Sequence, residues 1–142
     1  MKNNSALFYT CSLIEYIGRE QKQKRDNVVK LLGREIIKRI YRYADVFHCE
    51  PIEKTADDFI NMCNIPVGTY NNVEKARYEV PDYWTIGEVY ERLIEDVSED
   101  NTEAIVDSLI PPSTSTGKVS IPSFWHSAFI SFTFGIISAI KL

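Results

Sequence analysis

Apolar residues return along most of this chain at the 3.6-residue spacing of an α-helix, and the elements follow from where that rhythm starts and stops. Leu7, Cys11, Ile14 and Ile17 fall on one stripe, so residues 5–20 are expected to form an amphipathic helix. Asn4 or Ser5 would cap it, and Gly18 with the polar "REQKQKR" would loosen its end. Asp26 is a good cap for a short second helix, "NVVKLL", which Gly33 stops. A third helix is expected from Arg34 to Phe47, with Ile36, Ile37, Ile40, Tyr41, Ala44, Phe47 and His48 on a broad face. Pro51 suits the first turn of a fourth, whose stripe is Ile52, Ala56, Phe59, Ile60 and Cys63.

Residues 64–81, "NIPVGTYNNVEKARYEVP", break the rhythm. A loop of that length usually carries a function or folds into something small, so a short β-hairpin from "VGTY" and "ARYEV" is expected there. The helical period resumes in "DYWTIGEVYERLIEDVSED", where Ile86, Val89, Tyr90, Leu93, Ile94 and Val97 form the stripe. Thr85 and Glu88 have the spacing of a capping box, and Asp82 competes as the cap. A further short helix, "TEAIVDSLI", ends at Pro111 and Pro112. The fold class expected is mainly α, a small orthogonal bundle of five to six helices over residues 4–110.

Beyond that point the composition changes. Residues 111–123 read as a linker and 124–140 as an apolar tail, "FWHSAFISFTFGIISAI", in a stretch of 35 residues without Asp or Glu. The tail has three readings: a last buried element, a membrane-associated anchor, or the product of a changed reading frame. It is shorter than the roughly 20 apolar residues a spanning helix needs, and hydroxyl residues and His126 interrupt it.

Length and composition suit one globular domain: 142 residues, 44% hydrophobic and 25% charged. The net charge of −4 argues against general nucleic-acid binding. It is unevenly spread, with nine Lys/Arg against three Asp/Glu from Arg19 to Arg42, and fifteen acids against four bases from Cys49 to Ile110. Three cysteines without CxxC spacing fit a reducing, cytoplasmic setting better than a disulfide framework.

Candidate chemistry is sparse. "DVFHCEPIEKTADD" gathers His48, Cys49, Glu50, Asp57 and Asp58, but adjacent helical residues do not face one point, and the ligand spacing of a zinc site is missing. His48 is expected at a helix end, its imidazole bonded to a carbonyl. "STSTGK", Ser113–Lys118, echoes a phosphate loop without its first glycine or its terminal hydroxyl residue. The sequence therefore offers no catalytic residue, cofactor site or metal site, and a non-enzymatic protein-interaction module is the function expected. The candidate partner-binding residues are Tyr83, Trp84 and Tyr70, aromatics on or beside the long loop. Trp84 lies off the main stripe of its helix, with Gly87, Glu88 and Glu91. It either anchors a partner or folds back as a staple onto the loop. An alternative is a helix-turn-helix DNA binder, "NVVKLLGREIIKRIYRY", with Arg34, Lys38 and Arg42 on phosphates.

From Leu7 to Ile60 the pattern resembles an uncharacterised family of small all-α bacterial accessory proteins. The matching pieces are "FYTCSLIEYIGRE", "VVKLLGREIIKRIYRYADVFH" and "TADDFI", and larger relatives continue through a segment like "YEVPDYWTIGEVYERLIEDV". Such proteins are often encoded beside predicted ADP-ribosyltransferase-like proteins. The resemblance implies a protein partner and an antitoxin-like role, and it brings no catalytic residues. The tail departs from it, since another charged amphipathic helix is expected there.

An apolar stretch that completes no core leaves a sticky surface. Deleting residues 111–142 is expected to leave the melting temperature nearly unchanged and to improve solubility. Thermal melts and light scattering of the two chain lengths check this.

Overall fold

A computed structural model describes residues 4–71, 73–74, 79–97, 105–106 and 109. They fall within one compact unit, Met1–Ile110. Among them the architecture is helical: α1 (Ser5–Glu20), α2 (Arg25–Leu32), α3 (Arg34–Arg42), α4 (Ala44–Phe47), α5 (Ile52–Cys63) and α6 (Tyr83–Val97). Ile105, Val106 and Leu109 are also helical and buried, within the short helix expected there. The linker 111–123 and the apolar tail 124–140 lie outside the described residues.

Helix α1 is the centre of the bundle. From Leu7 to Gly18 only Phe8 and Tyr16 are not fully buried. A helix enclosed on nearly every side must answer its polar groups internally. The Thr10 hydroxyl donates to the Ala6 carbonyl at 2.7 Å and the Ser12 hydroxyl to the Phe8 carbonyl at 2.8 Å, one turn back in each case. Glu15 is 1% exposed and binds two guanidinium groups, Arg19 on its own helix and Arg25 at the start of α2. Burial works against the Arg25 charge, but Tyr90 and Glu15 outweigh it and hold that group above its ordinary range. The Arg25 guanidinium also lies 5.3 Å from the Tyr90 ring centre, so this cluster joins α1, α2 and α6.

The helices end for identifiable reasons. At the N-terminus of α1 the Asn4 side chain accepts from the Leu7 amide at 3.0 Å, as a cap should. Gly18 does not loosen the other end. It is buried, the helix runs on to Glu20, and Lys22 turns the chain with φ 50 while the Gln23 amide bonds back to the Gly18 carbonyl. Helix α2 starts one residue before Asp26, which sits in its first turn, where a negative charge favours the dipole. The expected helix from Arg34 to Phe47 is interrupted at Tyr43, whose φ −110 and ψ 23 break it into α3 and α4. The hydrophobic period runs straight through this break, which is why the sequence reads as one helix. The last turn of α5 closes with Asn64 in the left-handed region and the Ile65 amide on the Ile60 carbonyl.

No strand occurs among the described residues of 64–81, so the expected hairpin is absent from them. The "VGTY" segment instead hydrogen-bonds to the α1–α2 joint. The Gly68 amide donates to the Gln21 carbonyl and the Tyr70 amide to the Lys22 carbonyl, at 2.7 and 3.0 Å. The Gln21 and Gln23 side chains donate to the carbonyls of Ile65 and Pro66, both at 2.9 Å. A Cβ at Gly68 would run into the Lys22 carbonyl, so this approach requires glycine. Part of "ARYEV" lies outside the described residues.

Helix α6 runs antiparallel along α1. Tyr83 meets Tyr16, Gly87 meets Ser12, and Glu91 and Glu95 meet Asn4. The face of α6 that turns to α1 thus includes Gly87 and Glu91, which the hydrophobic stripe leaves out. Gly87 decides the spacing: a Cβ there would collide with the Ser12 side chain and would come within 2.9 Å of its Cα. Glu91 is 5% exposed and shares the Asn4 amide with Glu95, at 3.1 and 2.9 Å. Burial, and then the charge and hydrogen bond of Glu95, raise the Glu91 carboxyl above its ordinary value of 4.5, although the Asn4 amide opposes them.

Two predictions follow from this pairing. Gly87→Ala gains helix propensity but overpacks the crossing, so a net loss of about 2 kcal/mol is expected in urea melts, with Ser12→Gly restoring part of it. For Glu91, the raised folded-state pKa means that the folded chain holds an extra proton between 4.5 and that higher value. Stability therefore falls as pH rises through this interval. Glu91→Gln keeps an acceptor for Asn4 and leaves Glu95 as the one charge. It is expected to raise the melting temperature at neutral pH, and the gain should vanish once the pH is below 4.5.

Candidate functional site

Helix α6 begins where Asp82 accepts from the Thr85 amide at 2.7 Å, and that bond is the main reason its carboxyl titrates below the ordinary value. Asp82 is therefore the cap, and the first turn it starts presents Tyr83 and Trp84 side by side, both half-buried. Among the described residues the ring contacts of both run to α1, to His48 and to each other. Trp84 stacks on Phe8 of α1 with centroids 5.5 Å apart and planes at 25°, and on His48 at 5.7 Å and 23°. Tyr83 lies 5.3 Å from Trp84 and meets Tyr16 edge-on at 5.0 Å. Beneath them Tyr9 contacts both His48, at 5.0 Å, and Trp84, at 6.4 Å. Phe8, Trp84, Tyr83 and Tyr16 thus form an unbroken seam along the α1–α6 junction, with His48 at its side. Every ring of it except Tyr9 keeps some exposure.

Edge-on and offset-stacked geometries are the favoured ones for such rings, so each contact adds roughly 0.5–1.5 kcal/mol beyond its buried area. The seam is therefore structural as well as accessible. Trp84→Ala would therefore remove contacts to Phe8, Tyr9 and His48 at once. Tyr83 touches fewer rings and is the better probe of surface function.

The electrostatic surroundings of the seam are negative. Burial raises the Tyr16 phenol above its ordinary range, and Glu20, Glu53, Tyr83 and Asp57 add to that in the same direction. Burial likewise raises Tyr9, with Glu50 reinforcing it. Glu20 closes α1, while Glu53 and Asp57 lie one turn apart on α5, and all three are exposed. Glu50 is held by Lys54 at 2.8 Å.

The third candidate aromatic takes a separate place. Tyr70 sits on the α1–α2 joint, with the Lys24 ammonium 5.1 Å from its ring centre, and it contributes to the field at Arg25. The structure therefore brings Tyr83 and Trp84 together and assigns Tyr70 to the Glu15–Arg25 side.

At the joint between α4 and α5, His48 stacks against Tyr9 and Trp84 in place of the expected carbonyl bond. Cys49 bonds its thiol to the Asp45 carbonyl at 3.3 Å. The three cysteines are free thiols. Burial raises Cys11 far above the range of a reactive thiol and raises Cys63 as well. Among the described residues no three His, Cys, Asp or Glu side chains are grouped to hold a metal ion.

The basic segment is built differently from a helix-turn-helix. Gly33 alone, at φ 81, separates α2 from α3, where that motif has a turn of three or four residues. Arg34 and Lys38 are half-buried and already engaged in interactions within the chain, while Arg42, with Arg39, is exposed. Among the described residues no helix is long and apolar enough to cross a membrane, and the stretch 124–140 lies outside them.

Sequence reasoning misses the rings of Phe8 and Tyr16, and it places His48 at a helix end without linking it to Trp84. One signal was present. Phe8, Ser12 and Tyr16 repeat at every fourth position on α1, and Trp84, Gly87 and Glu91 share a face of α6. A small residue at the middle of each stripe marks two helices that cross closely, with large residues on either side of the crossing.

No protein-family model, no curated protein and no solved structure matches this chain.

Proposed function

We propose that this chain is a non-enzymatic helical interaction module that docks a protein partner on the aromatic seam at the start of α6. The observation that supports the reading is the run of half-exposed rings Phe8, Trp84, Tyr83 and Tyr16. Rings held by one another lose little freedom when a partner covers them, and Trp and Tyr in this setting are favoured binding anchors. The α1–α6 pairing beneath supplies a rigid base. The surface is therefore organised before binding.

Placing the photo-crosslinking residue p-benzoylphenylalanine at Tyr83 tests this in the host cell. Irradiation is expected to give one discrete heavier adduct containing the full chain. The same residue placed at Glu35, on α3, provides the background. Adducts from Tyr83 no stronger than those from Glu35 would remove the reading.

A further inference from the structure

We infer that the occupant of this seam is a Lys- or Arg-rich segment of a partner protein, with a cationic side chain lying over the Tyr16–Tyr83 pair among Glu20, Glu53 and Asp57. The inference rests on the interaction reading above and adds the chemistry of the partner.

Three observations carry it. First, the carboxylates of Glu20, Glu53 and Asp57 enter no ion pair among the described residues. Two cations next in sequence to these acids are committed elsewhere. Arg19 binds Glu15 and the Pro81 carbonyl, and Lys54 binds Glu50. Second, Glu53 and Asp57 are like charges at i and i+4, an arrangement that works against the helix carrying them. Both contribute to the field at Tyr16, a ring of the seam. Third, Tyr16 and Tyr83 meet edge-on at 5.0 Å and both remain half-exposed. An aromatic face amid unneutralised carboxylates attracts an ammonium or guanidinium by ring quadrupole and charge together. The same field repels phosphate, so this face does not suit nucleic acid.

The experiment uses the full chain with Trp125→Phe, which leaves Trp84 as the sole indole. Nona-arginine is titrated in and Trp84 emission is followed, with nona-glutamate as the control. Saturable binding of nona-arginine alone is expected, weakening by about tenfold or more as salt rises to about 0.3 M. Glu53→Gln with Asp57→Asn should weaken binding about tenfold with little change in melting temperature, since the lost first-turn charge of Glu53 and the removed repulsion with Asp57 oppose one another. The same change of charge placed at Glu35 and Glu74 should leave binding intact. Equal losses from both pairs would overturn the proposal in favour of diffuse attraction. Self-association at low salt that accounts for the whole signal, seen by sedimentation, would overturn it in favour of a second copy binding through its own basic stretch 19–42. If nona-arginine leaves Trp84 unchanged while crosslinking from Tyr83 persists, the basic partner is excluded and the interaction surface stands.

Discussion

The approach of Gly87 to Ser12 sets the distance between α1 and α6, and most of the described structure adapts to it. A glycine and a serine at the crossing bring the two backbones close. Larger groups are displaced to either side. Along α1, Tyr16 with Tyr83 lies to one side of the crossing, and Phe8, which stacks on Trp84, lies to the other, followed by the carboxylates of Glu91 and Glu95 at the Asn4 amide. A wider crossing would part the rings and withdraw both acceptors from the start of α1.

A central helix this enclosed carries a second constraint, because it holds Thr10, Ser12 and Glu15 inside. The two hydroxyls are satisfied within their own helix, whereas Glu15 needs help from outside it. Arg25 provides that help and thereby fixes how α2 leaves α1, while Tyr90 brings α6 into the same cluster. A buried ion pair of this kind contributes little net stability over an apolar substitute, and its value lies in the single arrangement it permits. The polar interior of α1 thus orients its neighbours, while the aliphatic core supplies the bulk of the burial.

Some of this was legible from sequence for clear reasons. The span of α1 was readable because a cap and an apolar stripe coincide there. The beginning of α6 was readable because Asp82 and Thr85 are spaced to cap it. The break at Tyr43 was hidden, because a hydrophobic period continues across it unchanged. The face of α6 against α1 was misjudged, since Gly87 has no side chain to count and Glu91 scores as polar although it is buried on an amide. At the site, Tyr83 and Trp84 stood out as neighbouring aromatics at a helix start. Their companions did not, because Phe8, Tyr16 and His48 are distant in sequence and only the tertiary fold brings them near. Tyr70 shares only their place beside the loop, and backbone bonds to the α1–α2 joint take it elsewhere.

The docking of Gly68 and Tyr70 on Gln21 and Lys22 bears on how the chain closes. The connection from α5 to α6 reads as one long excursion, and the entropy lost in closing a loop grows with the logarithm of its length. Pinning its early part to a turn that is itself fixed by Lys22 divides the excursion into two shorter ones. The first spans the end of α5 to the α1–α2 joint, and the second leads from that joint into α6. The same joint thus anchors the chain on both sides of its longest connection, so the path into the aromatic seam is held close to α1 well before α6 begins.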